Sequence, residues 1–276
     1  MGDKIEALGH SIIQHGKDND RIYLMKLDSR DIKNIIDRLD ALAKANGYSK
    51  IFVKAPLVKK EMFLTDGYKV EAKIPGYKNG KEDYVFLAKY LDSSRSAVKD
   101  RALLDDVLAT ARAKTKATLP KLEDGYMLKK MTKKDALIMA ELYESVFETY
   151  PFPIHDAQYL KKTMEENIHY YGIFHGDKLI ALSSSETDPD YENSEMTDFA
   201  TIPSYRGKSL ALFLLLEMED SMKNLGFKTL YTIARAKSYG MNATFAKAGY
   251  SFGGTLINNT NISGDIESMN VWYKNL

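Results

Sequence analysis

One stretch, residues 195–211, constrains this chain more than any other. An acidic segment, Glu195-Met196-Thr197-Asp198-Phe199-Ala200-Thr201, runs into Pro203. A tight Arg206-Gly207-Lys208 turn follows, and then a strongly apolar run, Leu210-Ala211-Leu212-Phe213-Leu214-Leu215-Leu216. The pattern reads as a strand closed by a proline, a turn and a buried helix. Such a turn lines up successive backbone N–H groups at a helix N-terminus, where unpaired donors and the positive dipole end suit a pyrophosphate. Gly207 lets the backbone approach such a group closely. The same pattern also serves as a plain strand-to-helix connection.

The rest of the chain fits an α/β class with a mixed sheet. Residues 20–28 read as a strand. The spacing Ile32, Ile35, Ile36, Leu39, Leu42, Ala43 predicts a helix over 31–46, stopped by Gly47. Strands are expected at 50–55, 68–74 and 83–90, with a short helix at 57–65. A charged connecting helix covers 94–116, and Leu119-Pro120 marks a domain boundary near 120. The second half predicts strands at 125–131, 169–175, 178–186, 194–201, 228–235, 250–258 and 266–274. Its helices fall at 133–148, 156–167, 209–225 and 238–247, and Thr132 is placed to cap the first of them. Two segments are alike: Gly47-Tyr48 with Phe63-Leu64-Thr65-Asp66-Gly67-Tyr68, and Gly226-Phe227 with Phe245-Ala246-Lys247-Ala248-Gly249-Tyr250. This weak repeat predicts that the N-terminal domain, 1–120, is a partial copy of the C-terminal fold, 121–276, without the Arg206 turn.

Composition narrows the function classes. Of 276 residues, Lys and Arg number 39 and Asp and Glu 38, so a net charge of +1 leaves no footprint for nucleic acid or an anionic membrane. The absence of cysteine excludes disulfides, thiolate zinc sites and a cysteine nucleophile, and fits a reducing cytoplasm. The longest apolar stretch, residues 210–216, is far short of the ~20 residues a spanning helix needs. The five histidines show no metal-ligand spacing, so no metal is expected.

Pro203-Ser204-Tyr205-Arg206-Gly207-Lys208 after an acidic strand resembles the pyrophosphate loop of the GNAT acetyltransferases, whose pattern is Arg/Gln-x-x-Gly-x-Gly/Ala. Here Ser209 stands at a glycine position of that pattern, a departure that helical backbone angles would make tolerable. Phe245-Ala246-Lys247-Ala248-Gly249-Tyr250 is similar to the family's aromatic-x-x-x-Gly-aromatic segment. Over the whole chain the resemblance is to the β-lysine ε-N-acetyltransferases, carried by Ser11-Ile12-Ile13-Gln14-His15-Gly16, Asn19-Asp20-Arg21-Ile22-Tyr23, Tyr150-Pro151-Phe152-Pro153, residues 195–201 and Gly254-Thr255-Leu256-Ile257-Asn258-Asn259. It implies a C-terminal GNAT fold and transfer of acetyl from acetyl-CoA to the side-chain amine of β-lysine. The product is Nε-acetyl-β-lysine, a compatible solute used in osmoadaptation.

The resemblance also implies roles. A side-chain amine of pKa ~10.4 must lose a proton before it attacks a thioester. Glu195 is the first candidate base and Asp198 the second, although three residues apart on a regular strand they face opposite sides. A bulge would change that. A backbone N–H of Phe199, Ala200 or Thr201 is expected to meet the oxyanion. The cofactor loop is Arg206, Gly207, Lys208, Ser209, Leu210 and Ala211, with Asn242 on the pantetheine arm. Phe245 occupies the position of the family's usual thiolate-protonating tyrosine, which leaves Tyr239 as the nearest alternative acid. Tyr150 and Phe152 would shape the substrate pocket. Arg235 would pair the substrate carboxylate, Glu186 its spare ammonium, and Asn259 would line the pocket. The expected partner is a small diamine, and a homodimer is compatible with the sequence. Two other outcomes stay open: acetylation of another small amine, and a non-catalytic acyl-CoA-binding regulatory module.

Overall fold

The computed structural model describes residues 3–116, 121–148, 150, 152–262 and 264–276. The expected boundary at 120 and Pro151 of the proline corner lie outside the described residues. The N-terminal half runs β1 (Lys4–Leu8), β2 (Ser11–Gly16), β3 (Arg21–Lys26), α1 (Ile35–Asn46), β4 (Lys50–Pro56), α2 (Lys60–Thr65), β5 (Lys69–Lys78) and β6 (Glu82–Tyr90). A connecting helix, α3 (Arg101–Arg112), follows. The C-terminal half begins with β7 (Tyr126–Lys130), α4 (Ala136–Val146), α5 (Ala157–Glu165), β8 (Ile168–His175) and β9 (Lys178–Asp188). It ends with β10 (Asn193–Thr201), α6 (Leu210–Asn224), β11 (Thr229–Arg235), α7 (Tyr239–Lys247), β12 (Ser251–Ile262) and β13 (Asp265–Asn275).

All thirteen strands form one mixed sheet in the order β1-β2-β3-β4-β6-β5-β12-β13-β11-β10-β9-β8-β7. The halves meet where β5 pairs with β12 at Ala72 and Gly254. There a Cβ on Gly254 would stand 2.1 Å from the Glu71 carbonyl oxygen, and the φ of +143° is open only to glycine. Two pairs are parallel, β3 with β4 and β10 with β11, each bridged by a helix, α1 or α6. These helices bury the apolar stripe their sequences predict. On α1, Ile35, Leu39 and Ala43 meet Ile22, Leu24, Ile51 and Val53. On α6, Leu214, Leu215, Met218 and Met222 meet Met196 and Leu230. A further core, with Phe52, Tyr77 and Phe86 against Tyr231, Leu256 and Val271, joins the halves.

Several boundaries differ from expectation. β1 and β2 carry no predicted element: Lys4–Leu8 is mostly exposed and lacks an apolar alternation long enough to register. The charged helix is shorter than 94–116, because residues before 101 form a 3₁₀ turn that buries Arg95. The last hairpin is longer, and its Asn258-to-Asn261 segment docks on the N-terminal half through Arg95, Asn19 and Arg21. No helix among the described residues is long and apolar enough to cross a membrane.

Candidate active site

The junction between β10 and α6 is built for an anion. After a 3₁₀ turn at Pro203–Tyr205, Arg206 is extended and Gly207 has a φ of +84°. Ser209 precedes α6 with φ 59° and ψ 21°. It is left-handed rather than helical, so the departure from glycine strains the backbone. The backbone N–H groups of residues 207–211 find no acceptor among the described residues. Five donors therefore lie at the positive end of a fifteen-residue helix. They border a cavity of about 250 Å³ walled by Lys121, Tyr126, Lys208 and Phe213. The Lys208 ammonium lies over the Tyr126 ring, 5.3 Å from its centroid, and 3.7 Å from Glu123. Leu210 is buried in the core and Ala211 lies in the first turn, so both can serve a ligand only through the backbone. This junction can hold a pyrophosphate.

Upstream of the junction the sheet splays. β10 pairs with β11 only from Asn193 to Glu195, and beyond that it keeps β9 as its sole neighbour. A bulge between Thr197 and Ala200 places Asp198 at a φ of +55°. Its effect is to bring Glu195 and Asp198, expected on opposite faces, into one cavity of about 570 Å³. Phe199 lines the same cavity, Ala200 is buried in the core, and the Thr201 carbonyl accepts from Arg206 Nε at 3.4 Å.

Four carboxylates line this cavity, Glu166, Glu186, Glu195 and Asp198, and Glu195 stands opposite Glu186 in the β9–β10 ladder. Burial, then the charge of Glu186, raises the Glu195 carboxyl to about 8; Lys54 and a hydrogen bond from Tyr231 pull the other way. Burial and Asp198 raise Glu186 as well. Asp198 is raised by burial against hydrogen bonds from the Ser184, Tyr150 and Thr197 hydroxyls. Tyr150 and Phe152 form part of the apolar wall.

The opposite wall comes from the N-terminal half, which sequence reasoning did not assign to the site. Arg21, Tyr23 and Met25 of β3 and Phe52 and Lys54 of β4 face the cavity. Burial raises the Tyr23 hydroxyl to about 12. Lys54 is held above the ordinary lysine range: burial opposes its charge, but Tyr23, Tyr77 and Glu195 outweigh it. The available signal was the alternation Arg21, Tyr23 against Ile22, Leu24, which marks a strand with one polar face.

Three expected roles do not match the geometry. Tyr239 is 42% exposed, and its hydroxyl donates to Asp106 on α3, outside the cavity. Asn242 is fully buried: its amide donates to the Arg235 and Ser238 carbonyls and its oxygen accepts from Asn270 and Trp272. Every polar valence is spent on holding α7 to β11 and β13, with none left for a pantetheine arm. Arg235 borders the cavity, but Glu267 engages it through two hydrogen bonds of 2.9 and 2.7 Å, so its charge is already matched. Asn259 does line the cavity, buried, with an Oδ1 that has no partner. Phe245 packs edge-on between Phe199 and Tyr250 as part of the core.

Residues 138–250 match the Acetyltransferase (GNAT) family. The chain is 41% identical to the Beta-lysine N(6)-acetyltransferase of Methanococcus maripaludis, covering 99% of this chain and 98% of that protein. It is 33% identical to the protein of the same name from Methanosarcina mazei, over 88% of this chain and 97% of that one. It is also 33% identical to N-acetyltransferase YodP of Bacillus subtilis, over 96% of each chain. A splayed sheet beside a helix N-terminus rich in free donors, in a chain matched over nearly its whole length by such relatives, has one consequence: this protein belongs to the GNAT acetyltransferases.

Proposed function

We propose that this acetyl-CoA-dependent N-acetyltransferase transfers its acetyl group to the side-chain amine of β-lysine, giving Nε-acetyl-β-lysine. The observation that carries the reading is the cluster of Glu186, Glu195 and Asp198 in one cavity next to the splay, with the Glu195 carboxyl near 8. The relatives named Beta-lysine N(6)-acetyltransferase support the substrate.

In this reading the N–H groups of residues 207–211 hold the pyrophosphate of acetyl-CoA, and the acyl arm enters the splay beside Phe199. Glu195 takes a proton from the ε-ammonium, because a base near 8 is strong enough to help and still partly ionised at neutral pH. The amine nitrogen bonds the thioester carbon, the backbone near residues 199–201 stabilises the oxyanion, and the C–S bond breaks. A thiol of pKa ~8.5 leaves well without a dedicated acid, consistent with Phe245 in the core and Tyr239 outside the cavity. Tyr150 fixes Asp198, Phe152 shapes the wall, and Glu186 pairs the spare ammonium. Acetylation removes one positive charge and leaves a zwitterion of no net charge, a property suited to a compatible solute in osmoadaptation. We read residues 1–120 as a partial GNAT-like domain that completes the pocket.

CoA release measured with β-lysine, α-lysine and spermidine side by side tests the reading. Fastest turnover is expected with β-lysine. Equal or faster turnover of spermidine moves the substrate to another small amine, and acetyl-CoA binding without turnover moves the protein to a non-catalytic module.

A further inference from the structure

Three arginines lie buried or half-buried where the halves meet, and two have an acidic partner: Arg95 stands 3.4 Å from Asp20 and Arg235 stands 2.7 Å from Glu267. Arg21 has none: no carboxylate among the described residues comes within 4.0 Å of it. Yet it is only 5% exposed. Its Nη1 donates to the Asn259 carbonyl and stands 3.4 Å from Thr260 Oγ1, while Nε and Nη2 make no hydrogen bond to described residues. The Tyr23 and Phe52 rings flank the guanidinium, with centroids 5.6 and 5.5 Å away. Burial draws the group down to about 10. The charges of Asp3 and Glu71 offset part of this from beyond contact distance, but a buried cation with no anion in contact is costly, and such costs persist mainly at functional sites.

We propose that Arg21 anchors the carboxylate of the substrate, so that the N-terminal half selects an amino acid over a plain diamine. The inference rests on the β-lysine reading and replaces Arg235 in that role. The cavity has acids on the C-terminal wall and Arg21 with Lys54 on the N-terminal wall. β-Lysine has the matching layout, amines to be received by acids and one carboxylate to be received by a cation. The planar guanidinium still has a nitrogen edge, Nε with Nη2, that matches a carboxylate in bidentate fashion. Held there, the carboxylate directs the far amine across the cavity toward Glu195.

The test compares β-lysine with β-lysinamide, which keeps the skeleton and both amines but carries a neutral carboxamide. Wild-type enzyme is expected to prefer β-lysine by ~10²-fold in kcat/KM, mostly through KM. Arg21→Gln should abolish that preference by lowering kcat/KM far more for β-lysine than for β-lysinamide. Arg21→Lys should retain part of it. Equal use of both substrates by the wild type overturns the inference, as does an Arg21→Gln variant that loses both activities alike, the mark of a structural role. Should Arg21→Gln fail to fold, the wild-type pair and Arg21→Lys decide the question. Absence of any β-lysine turnover by the wild type defeats the functional reading itself; turnover without discrimination against the amide defeats only Arg21.

Discussion

The two halves of the molecule share a run of six strands and two helices in the same order, to which the second half adds β7, α4 and α5. β1 to β6 with α1 and α2 repeat as β8 to β13 with α6 and α7, and the sheet order mirrors about the β5–β12 contact. The likeness reaches side chains. Phe63 meets Tyr68 edge-on at 5.3 Å, as Phe245 meets Tyr250 at 5.1 Å. Lys89 lies over Tyr68 and binds Asp40 of α1, as Lys274 lies over Tyr250 and binds Glu219 of α6. Even the unsatisfied atoms repeat: the Tyr68 and Tyr250 hydroxyls, and one oxygen each of Asp40 and Glu219. The halves part at the strand-to-helix junction. In the first, β3 keeps register with β4 through Leu24, and Asp28 and Asp31 crowd the approach to α1, where their charge repels a phosphate. In the second, β10 leaves β11 after Glu195, and five N–H groups find no acceptor among the described residues. The shared frame sets the packing, and the junction decides which half can take an anionic cofactor.

The largest expected effect tests whether chemistry belongs to one half. Glu195→Gln should lower kcat by ~10²- to 10⁴-fold, the usual scale for a lost general base. Tyr23, third in the β3–β4 ladder as Glu195 is third in β10–β11, should lose far less as Tyr23→Phe. Similar losses at both positions would break the comparison. With its carboxyl near 8, Glu195 should make kcat/KM rise with pH through about 8, and that limb should vanish in the variant. Stability carries the same signature. Between the ordinary 4.5 and the folded value of about 8, the folded protein binds more protons than the unfolded, so this group's contribution is lost as pH rises through that window. Glu195→Gln should therefore melt above the wild type at pH ~9, with the gap closing toward pH ~4.

Next come the twin lysines. Lys274→Met strands the Glu219 carboxylate, only 8% exposed, and should cost ~3–5 kcal/mol. Lys89→Met frees Asp40 and Asp66, 37% and 40% exposed, which water can solvate, so the loss should stay at or below ~1 kcal/mol. Urea melts of both variants read the difference; equal losses would mean that the clusters are alike in energy as well as in geometry.

How much of this was legible beforehand follows from distance along the chain. The junction motif and the Phe-x-x-x-Gly-Tyr repeat are local, and local spacing is what a sequence displays directly. The bulge at Asp198 is less legible, because a positive φ at an aspartate leaves no mark in the alternation of residues. The hydrogen bonds that occupy Arg235 and Asn242 are not legible because their partners, Glu267, Asn270 and Trp272, arrive from a strand about thirty residues later. Arg21 and Lys54 are illegible as cavity residues for the same reason on a larger scale: they share a cavity with Glu195 only because the sheet brings its two halves together.

The smallest effect sits at the residue where the junction is strained. Ser209 holds a left-handed conformation that costs an L-residue ~1–2 kcal/mol. Glycine there removes the strain but gives back ~0.4–1 kcal/mol through a freer unfolded chain. Ser209→Gly should thus gain roughly 0.5 kcal/mol, a rise in Tm of ~1–2 °C for a chain of this size. Asn34, just before α1 in the other half, has a φ of −138°, no such strain and no side-chain capping hydrogen bond, so Asn34→Gly should lose about 0.5 kcal/mol through a freer unfolded chain. Opposite signs at the two positions would locate the strain in the cofactor junction rather than in the frame. The KM for acetyl-CoA then separates two uses of that residue. An unchanged KM in Ser209→Gly leaves phosphate binding to the backbone N–H groups, whereas a several-fold rise assigns part of it to the serine hydroxyl, and with it the reason a strained serine stands where glycine would fit.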